Sequence, residues 1–172
     1  MNKNIVLTGF MGSGKTTVGK IAAEKLNMIF IDVDAYIENE QQKKISDIFE
    51  QFGEEYFRNL ETDMVKKVAL EQNAVIATGG GVVLRKENLD YLRQNGVIVY
   101  LYSNEEAIMR NTSHNTDRPL LKGPDAKARI AELLKKRAAF YSNHDFKIDV
   151  SMLTVEQAVE AVLNIYGQIQ AK

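Results

Sequence analysis

Eight consecutive residues near the N-terminus, Gly9-Phe10-Met11-Gly12-Ser13-Gly14-Lys15-Thr16, satisfy the pattern GxxxxGK[ST]. The chemistry open to such a run is the holding of phosphates. Its glycines let successive backbone N–H groups turn toward an anion, and a helix starting there adds the positive end of its dipole. Lys15 supplies a point charge for the β and γ phosphates, and the Thr16 hydroxyl is suited to ligate Mg2+. The apolar run Ile5-Val6-Leu7 reads as a strand before the loop, and residues 18–26 have helical periodicity after it. A glycine-rich turn that binds nothing would leave Lys15 unexplained. Gly12, Ser13, Gly14, Lys15, Thr16 and Thr17 are the expected contacts of a nucleoside triphosphate, taken as ATP.

A second group of polar residues ends the run Ile29-Phe30-Ile31-Asp32-Val33-Asp34. Two carboxylates two residues apart in an extended backbone point to one side. Ligands of open α/β sheets bind beyond the carboxyl ends of strands, which brings this pair beside the phosphate loop when the two strands are neighbours or one strand apart. Asp32 is expected to hold magnesium through water, and Asp34 to face the acceptor hydroxyl. Asp34 also precedes the helix-like Ala35-Tyr36-Ile37-Glu38, so it has a second reading as an N-cap.

Arg58 follows Phe57, whose apolar stripe continues through Leu60, Met64 and Val68, and Glu61 lies one turn further on. That pair can orient and neutralise the guanidinium, or be a surface ion pair worth only ~0.2 to 0.5 kcal/mol. Arg137 sits within the stripe Ile130, Leu133, Leu134, Ala138 and Tyr141, where a charge must find a partner or reach out to water. A bound carboxylate would satisfy it. Thr78-Gly79-Gly80-Gly81 follows a strand and lacks bulk, so a ligand can approach its backbone, or it is a flexible turn. Arg118 precedes Pro119 in the polar segment 112–124, the best candidate for a mobile loop.

These residues need a scaffold, and the rest of the chain supplies one. Five runs read as buried strands: Ile5-Val6-Leu7, Ile29-Phe30-Ile31, Ala74-Val75-Ile76-Ala77, Val97-Ile98-Val99-Tyr100-Leu101 and Phe146-Lys147-Ile148. Helical patterns alternate with them, as crossovers between parallel strands require, so the class is α/β with a parallel sheet. The final stripe, from Val155 through Val159, Val162 and Tyr166, is scaffold. At 172 residues the expectation is one domain, 1–172. With no cysteine, disulfides, thiolate nucleophiles and cysteine-bound zinc are excluded. A formal charge of -1 offers no excess attraction for nucleic acid or acidic membranes. The apolar run after Met1-Asn2-Lys3-Asn4 is too short for a signal peptide or a spanning helix, so a cytoplasmic protein is expected.

Taken in order, these motifs resemble the shikimate kinases, ATP-dependent enzymes of chorismate and aromatic amino-acid biosynthesis. The resemblance rests on the phosphate loop, Asp32-Val33-Asp34 with Ile37-Glu38, and Ile48-Phe49-Glu50 leading to Gly53-Glu54, Phe57-Arg58 and Glu61. It continues with Thr78-Gly79-Gly80-Gly81, Arg118-Pro119-Leu120-Leu121, and Arg137 with Tyr141, spanning nearly the whole chain. It implies a three-layer α/β/α P-loop kinase fold with a central five-stranded parallel sheet and a mobile lid at about 112–124. It also implies that Asp34, Arg58, Gly79, Gly80, Gly81 and Arg137 hold shikimate, and that Lys15, Asp34 and Arg118 serve phosphoryl transfer. Arg118 would lie on the lid over ATP, and Thr16 and Asp32 would hold Mg2+. The product would be 3-phosphoshikimate, and the working unit a monomer. The chain departs from the pattern at residues 149–154, expected to cover adenine, where the arginine or asparagine-proline pair often found in the family is missing; Arg110 is a candidate contact there. Two other readings remain: another P-loop small-metabolite kinase acting on gluconate or a nucleotide, and an ATP-binding regulatory module without transfer activity.

Overall fold

The structure, a computed structural model, describes residues 3–112 and 125–171. Five strands form one sheet: β1 (Asn4–Thr8), β2 (Ile29–Asp32), β3 (Ala74–Ala77), β4 (Gly96–Tyr102) and β5 (Phe146–Asp149). Their spatial order is β2-β3-β1-β4-β5, and every neighbouring pair is parallel. All five strands expected from the apolar runs are present. Central β1 is buried throughout, because alternate residues face two different cores. Val6 joins Ile37, Met64, Val65 and Leu92 on one face, while Ile5 and Leu7 join Val18, Ala22, Val159 and Val162 on the other.

Among the described residues seven helices cover the sheet: α1 (Lys15–Leu26), α2 (Val33–Gln41), α3 (Ile45–Val68), α4 (Lys86–Asn95), α5 (Glu105–Thr112), α6 (Ala126–Tyr141) and α7 (Val155–Gln170). Val18, Ala22, Val159 and Val162 put α1 and α7 on one face. The others send Val33, Ile37, Val65, Leu92, Ile108 and Ile130 into the opposite core, which makes three layers. α7 opens with a capping box between Thr154 and Gln157, two orphan donors satisfied reciprocally. Among the described residues no helix is long and apolar enough to cross a membrane.

Asn4 secures the amino-terminal end of the central strands. Its side chain accepts from the Ala74 N–H at 2.9 Å and donates to the Glu71 carbonyl at 2.7 Å, which fixes β3 against β1. At the opposite end of the strands, Thr78 donates to the Leu7 carbonyl from its hydroxyl at 3.0 Å and from its amide at 3.1 Å. The carboxyl ends of β1 and β3 are thereby joined where their loops diverge.

Three local expectations change. The backbone leaves the extended conformation immediately after Asp32, so Val33 begins α2 and Asp34 lies in its first turn. The acidic pair therefore does not share one face of a strand; Asp32, and not Asp34, is the N-cap. On α6, Ile130 and Tyr141 are buried and Leu133 and Leu134 pack against the core, but Ala138 is exposed. Thr112, the first residue of the expected lid, closes α5, where its buried hydroxyl donates to the Ile108 carbonyl at 2.6 Å. Residues 113–124, with Arg118, lie outside the described residues.

Candidate functional site

The loops that leave β1, β2 and β3 converge at the carboxyl edge of the sheet. In the first, Gly12 and Gly14 have φ of 77° and 86°, left-handed values that a side chain would strain. Gly14 is also the N-cap of α1 and makes no side-chain cap, so the first-turn amides face the loop. Lys15 is buried and its ammonium donates to the Gly9 carbonyl at 2.8 Å and the Phe10 carbonyl at 3.0 Å. These bonds fold the lysine back over its own loop. Thr16 and Thr17 are exposed in the first turn of α1, and Ser13 is buried beneath it. Asn111 of α5 donates to the Gly12 carbonyl at 2.9 Å and ties the loop to the helix that precedes 113–124.

β2 delivers the acids from one strand away, since β3 lies between it and β1. Asp32 has two jobs. Its Oδ1 accepts from the Ala35 amide at 3.2 Å as the helix cap, and its Oδ2 accepts from the Thr16 hydroxyl at 2.7 Å. Thr16 and Asp32 thus present two hard oxygen donors side by side at a helix N-terminus, a donor set suited to Mg2+.

The glycine loop separates this donor side from the acceptor side. A Cβ built on Gly80 would lie 3.4 Å from the Met11 amide and 3.6 Å from the Gly9 carbonyl, so Gly80 rests against the phosphate loop. One on Gly79 would fall 2.6 Å from Asp34 Oδ1 and 2.9 Å from Glu61 Oε1. One on Gly81 would fall 2.2 Å from Arg58 Nη1, so the guanidinium would have to shift. Absence of side chains lets two acids and a guanidinium close on one backbone segment.

Arg58 and Glu61 are both withdrawn from solvent, with side-chain exposures of 12% and 1%. Nη1 of Arg58 donates to Glu61 Oε2 at 2.8 Å, and its Nη2 and Nε reach Glu54 Oε1 at 3.2 and 3.3 Å. The pair is not the surface ion pair that spacing alone allows. Burial is the largest influence on Glu61 and lifts its carboxyl above the ordinary range, with Arg58 opposing it and Asp34 adding to it. Burial works against the Arg58 cation, but Glu61 and Glu54 outweigh it and hold the guanidinium above its ordinary value. Phe49 and Phe57 supply the rings below that guanidinium, at 5.9 and 5.2 Å.

Arg137 approaches from α6. Its guanidinium lies 5.8 Å from the Phe10 ring of the phosphate loop, and its positive charge acts on the Tyr141 phenol one turn on. Asp34 and Arg58 thus meet the glycine loop, while Arg137 meets the phosphate loop against which Gly80 rests. On the other flank Arg110 donates to the Ser151 carbonyl at 3.0 Å, which joins the two segments expected near adenine. Asp149 Oδ1 shapes that turn by accepting from the Ser151 hydroxyl at 2.6 Å and amide at 3.0 Å.

Sequence reasoning missed Arg85. From the turn after the glycine loop it donates to the Arg58 carbonyl at 3.1 Å and the Thr62 hydroxyl at 3.2 Å. It missed Asn111 as well. Neither residue belongs to a motif, and both contacts join segments distant in sequence. Phe10 occupies a free position of its pattern, so nothing in the spacing marks it as the surface under Arg137.

A parallel sheet of this order, with a phosphate loop after β1 and a cluster of charged side chains against the loop after β3, defines a P-loop kinase of a small acceptor. The family model for shikimate kinase matches residues 11–166. The chain belongs to the shikimate kinase family. It is 50% identical over 170 residues to a shikimate kinase of Caldanaerobacter subterraneus subsp. tengcongensis and 49% identical to one of Caldicellulosiruptor bescii, with 99% of both chains covered in each case. Among solved structures it resembles shikimate kinase from Acinetobacter baumannii in complex with shikimate, at 34% identity and a TM-score of 0.92, over 99% of this chain and 96% of the other.

Proposed function

We infer that this chain transfers the γ-phosphoryl group of ATP to the 3-hydroxyl of shikimate, yielding ADP and 3-phosphoshikimate. The observation that carries this reading is the placing of Gly80 against the phosphate loop while Gly79 and Gly81 touch Asp34, Glu61 and Arg58. A donor loop and a pocket for an acidic polyol share one wall. Gluconate and nucleotide acceptors, and a module without transfer activity, are not favoured by a family match across nearly the full length.

Shikimate carries one carboxylate and three hydroxyls, so its site needs guanidinium forks for the acid and acceptors or backbone dipoles for the alcohols. Arg58 and Arg137 supply the forks, and residues 79–81 the backbone. Asp34 orients the 3-hydroxyl and is the group beside it able to receive its proton. The hydroxyl oxygen forms a bond to the γ phosphorus as the bridging bond to the β-phosphate breaks, and its electron pair leaves with ADP. Lys15 gives up its contacts with Gly9 and Phe10 to follow the β and γ oxygens. Thr16 and, through water, Asp32 would hold Mg2+, which would supply positive charge to neutralise those oxygens. Arg118, assigned to the lid, adds charge over the transferring group and helps exclude water. The working unit proposed is a monomer.

Purified protein with Mg-ATP should release ADP much faster with shikimate than without it. No shikimate-dependent release from folded, ATP-binding protein would defeat the assignment. Arg58→Ala should raise the KM for shikimate far more than that for ATP; equal losses would contradict its role.

A further inference from the structure

Tyr141 is the last residue of α6, buried to 2% exposure, and its hydroxyl donates to the Gly80 carbonyl at 2.5 Å. Its ring stacks on Tyr100 of β4, with centroids 5.0 Å apart and planes within 4°. A phenol has one proton to give and lone pairs to accept with. The proton is committed to Gly80, so a lone pair remains on the oxygen, and the charge of Arg137, the residue one helical turn earlier, acts on the phenol. One oxygen therefore gives to the glycine loop while standing one turn from the guanidinium. Stacking on Tyr100, itself in the core, leaves the ring no freedom to swing away.

We propose that Tyr141 is a positioning residue for the acceptor: its hydroxyl fixes the Gly80 carbonyl one helical turn from Arg137, so that the carboxylate fork and the glycine wall of the shikimate pocket are held in one fixed relation. Arg137 would otherwise be a long side chain near the end of a helix, with much rotamer freedom to lose on binding. Set beside Tyr141 and against the Phe10 face, it meets the carboxylate already oriented. Gly80 also lies against Met11 of the phosphate loop, so the same bond limits movement of the glycine wall toward the donor. The proposal rests on the assignment of Arg137 and Gly80 to shikimate binding.

The test is steady-state kinetics of the full chain with Tyr141→Phe, which keeps the stacking ring and removes only the oxygen. Losing a neutral hydrogen bond together with an Arg contact should raise the KM for shikimate by ~5- to 20-fold, with the KM for ATP unchanged. In an Arg137→Ala background the same substitution should cost clearly less, because its partner is already gone. Tyr100→Phe, which leaves the Tyr141 oxygen in place, should not move either KM. A shikimate KM unaltered by Tyr141→Phe, an equal rise for both substrates, or full additivity with Arg137→Ala would overturn the proposal. Should Arg137→Ala itself leave the shikimate KM unchanged, the assignment of Arg137 fails first, a distinct result. Wild-type protein with 13C at the tyrosine ζ carbons gives a second reading that needs no folded variant. The Tyr141 resonance should shift with shikimate and not with ADP, and the reverse would overturn the proposal.

Discussion

Arg58 Nη1 and Glu61 Oε2 lie 2.8 Å apart, one turn along α3, with the acid almost fully buried and the base only slightly less so. This is a costly arrangement, since each charge has left water and depends on the other. Burial dominates at Glu61 and raises its carboxyl above the ordinary value of 4.5. Between 4.5 and that raised value the native state keeps a proton the unfolded chain has lost, so this group's contribution to stability falls as pH rises through the window. Glu61→Gln removes the titration. Its stability relative to wild type should therefore climb with pH from about 4.5 upward, by at most ~1.4 kcal/mol per pH unit, as read from urea unfolding at several pH values. A difference that declines with pH would contradict the assigned shift.

Asp32 serves both a helix cap and the proposed metal site, and two substitutions separate these roles. Asp32→Asn keeps an acceptor for the Ala35 amide but removes the charge; stability should change little while the Mg2+ concentration for half-maximal activity rises ~10-fold or more. Asp32→Ala removes both, adding a loss of about 1 kcal/mol in stability. Equal Mg2+ requirements in wild type and Asp32→Asn would separate Asp32 from the metal.

Glycines 81 and 53 should fail in opposite ways. Gly81 has ordinary backbone angles, so Gly81→Ala acts by pressing its methyl on the Arg58 guanidinium; the KM for shikimate should rise ~10- to 100-fold, with the melting temperature little changed. Gly53 breaks α3 at φ 83° and ψ 174°, with nothing within 4 Å of an added Cβ. Gly53→Ala should cost about 1–3 kcal/mol of stability through backbone strain. Kinetic constants of the two variants alongside their unfolding curves check the contrast.

Asp149→Ala should loosen the turn that presents the Ser151 carbonyl to Arg110, raising the KM for ATP several-fold while sparing that for shikimate. Ser151, chiefly through its hydroxyl, holds the Asp149 carboxyl below its ordinary value of 3.8. An acid lowered in this way stabilises the fold above its unfolded pKa and loses that contribution as pH falls through the native one. The stability gap between wild type and Asp149→Ala should accordingly close below about pH 4, measured by unfolding at pH 3 and pH 6.

Much of this was legible because it is local. The phosphate loop combines a strand, a fixed pattern and a helix within a short run, and the five strands announce themselves by apolar runs that a doubly covered parallel sheet demands. Arg58 and Glu61 are one turn apart on any helix, so their pairing could be read, whereas their burial could not; it depends on Gly81 and Phe57 closing around them. Asp32 and Asp34 were placed on one face of a strand because alternation was assumed to continue. The helix that starts at Val33 breaks it, and a cap one residue earlier looks the same in sequence. Arg85 and Asn111 were invisible for a plainer reason: each bonds a main-chain carbonyl, at Arg58 and Gly12 respectively, and a carbonyl leaves no residue type to recognise.

The position of β3 between β1 and β2 turns the sheet into a ruler. Adjacent strands are ~4.8 Å apart, so the gap from the donor loop after β1 to Asp34 beyond β2 is set by two main-chain spacings, with the glycine wall at the midpoint. Reach across the reaction is thus a property of backbone hydrogen bonds. The recognition proposed for the acceptor is carried separately, by Arg58 on α3 and Arg137 on α6. A lineage could exchange those side chains and so change what is phosphorylated, while the distance over which a phosphoryl group must travel stays where the sheet put it.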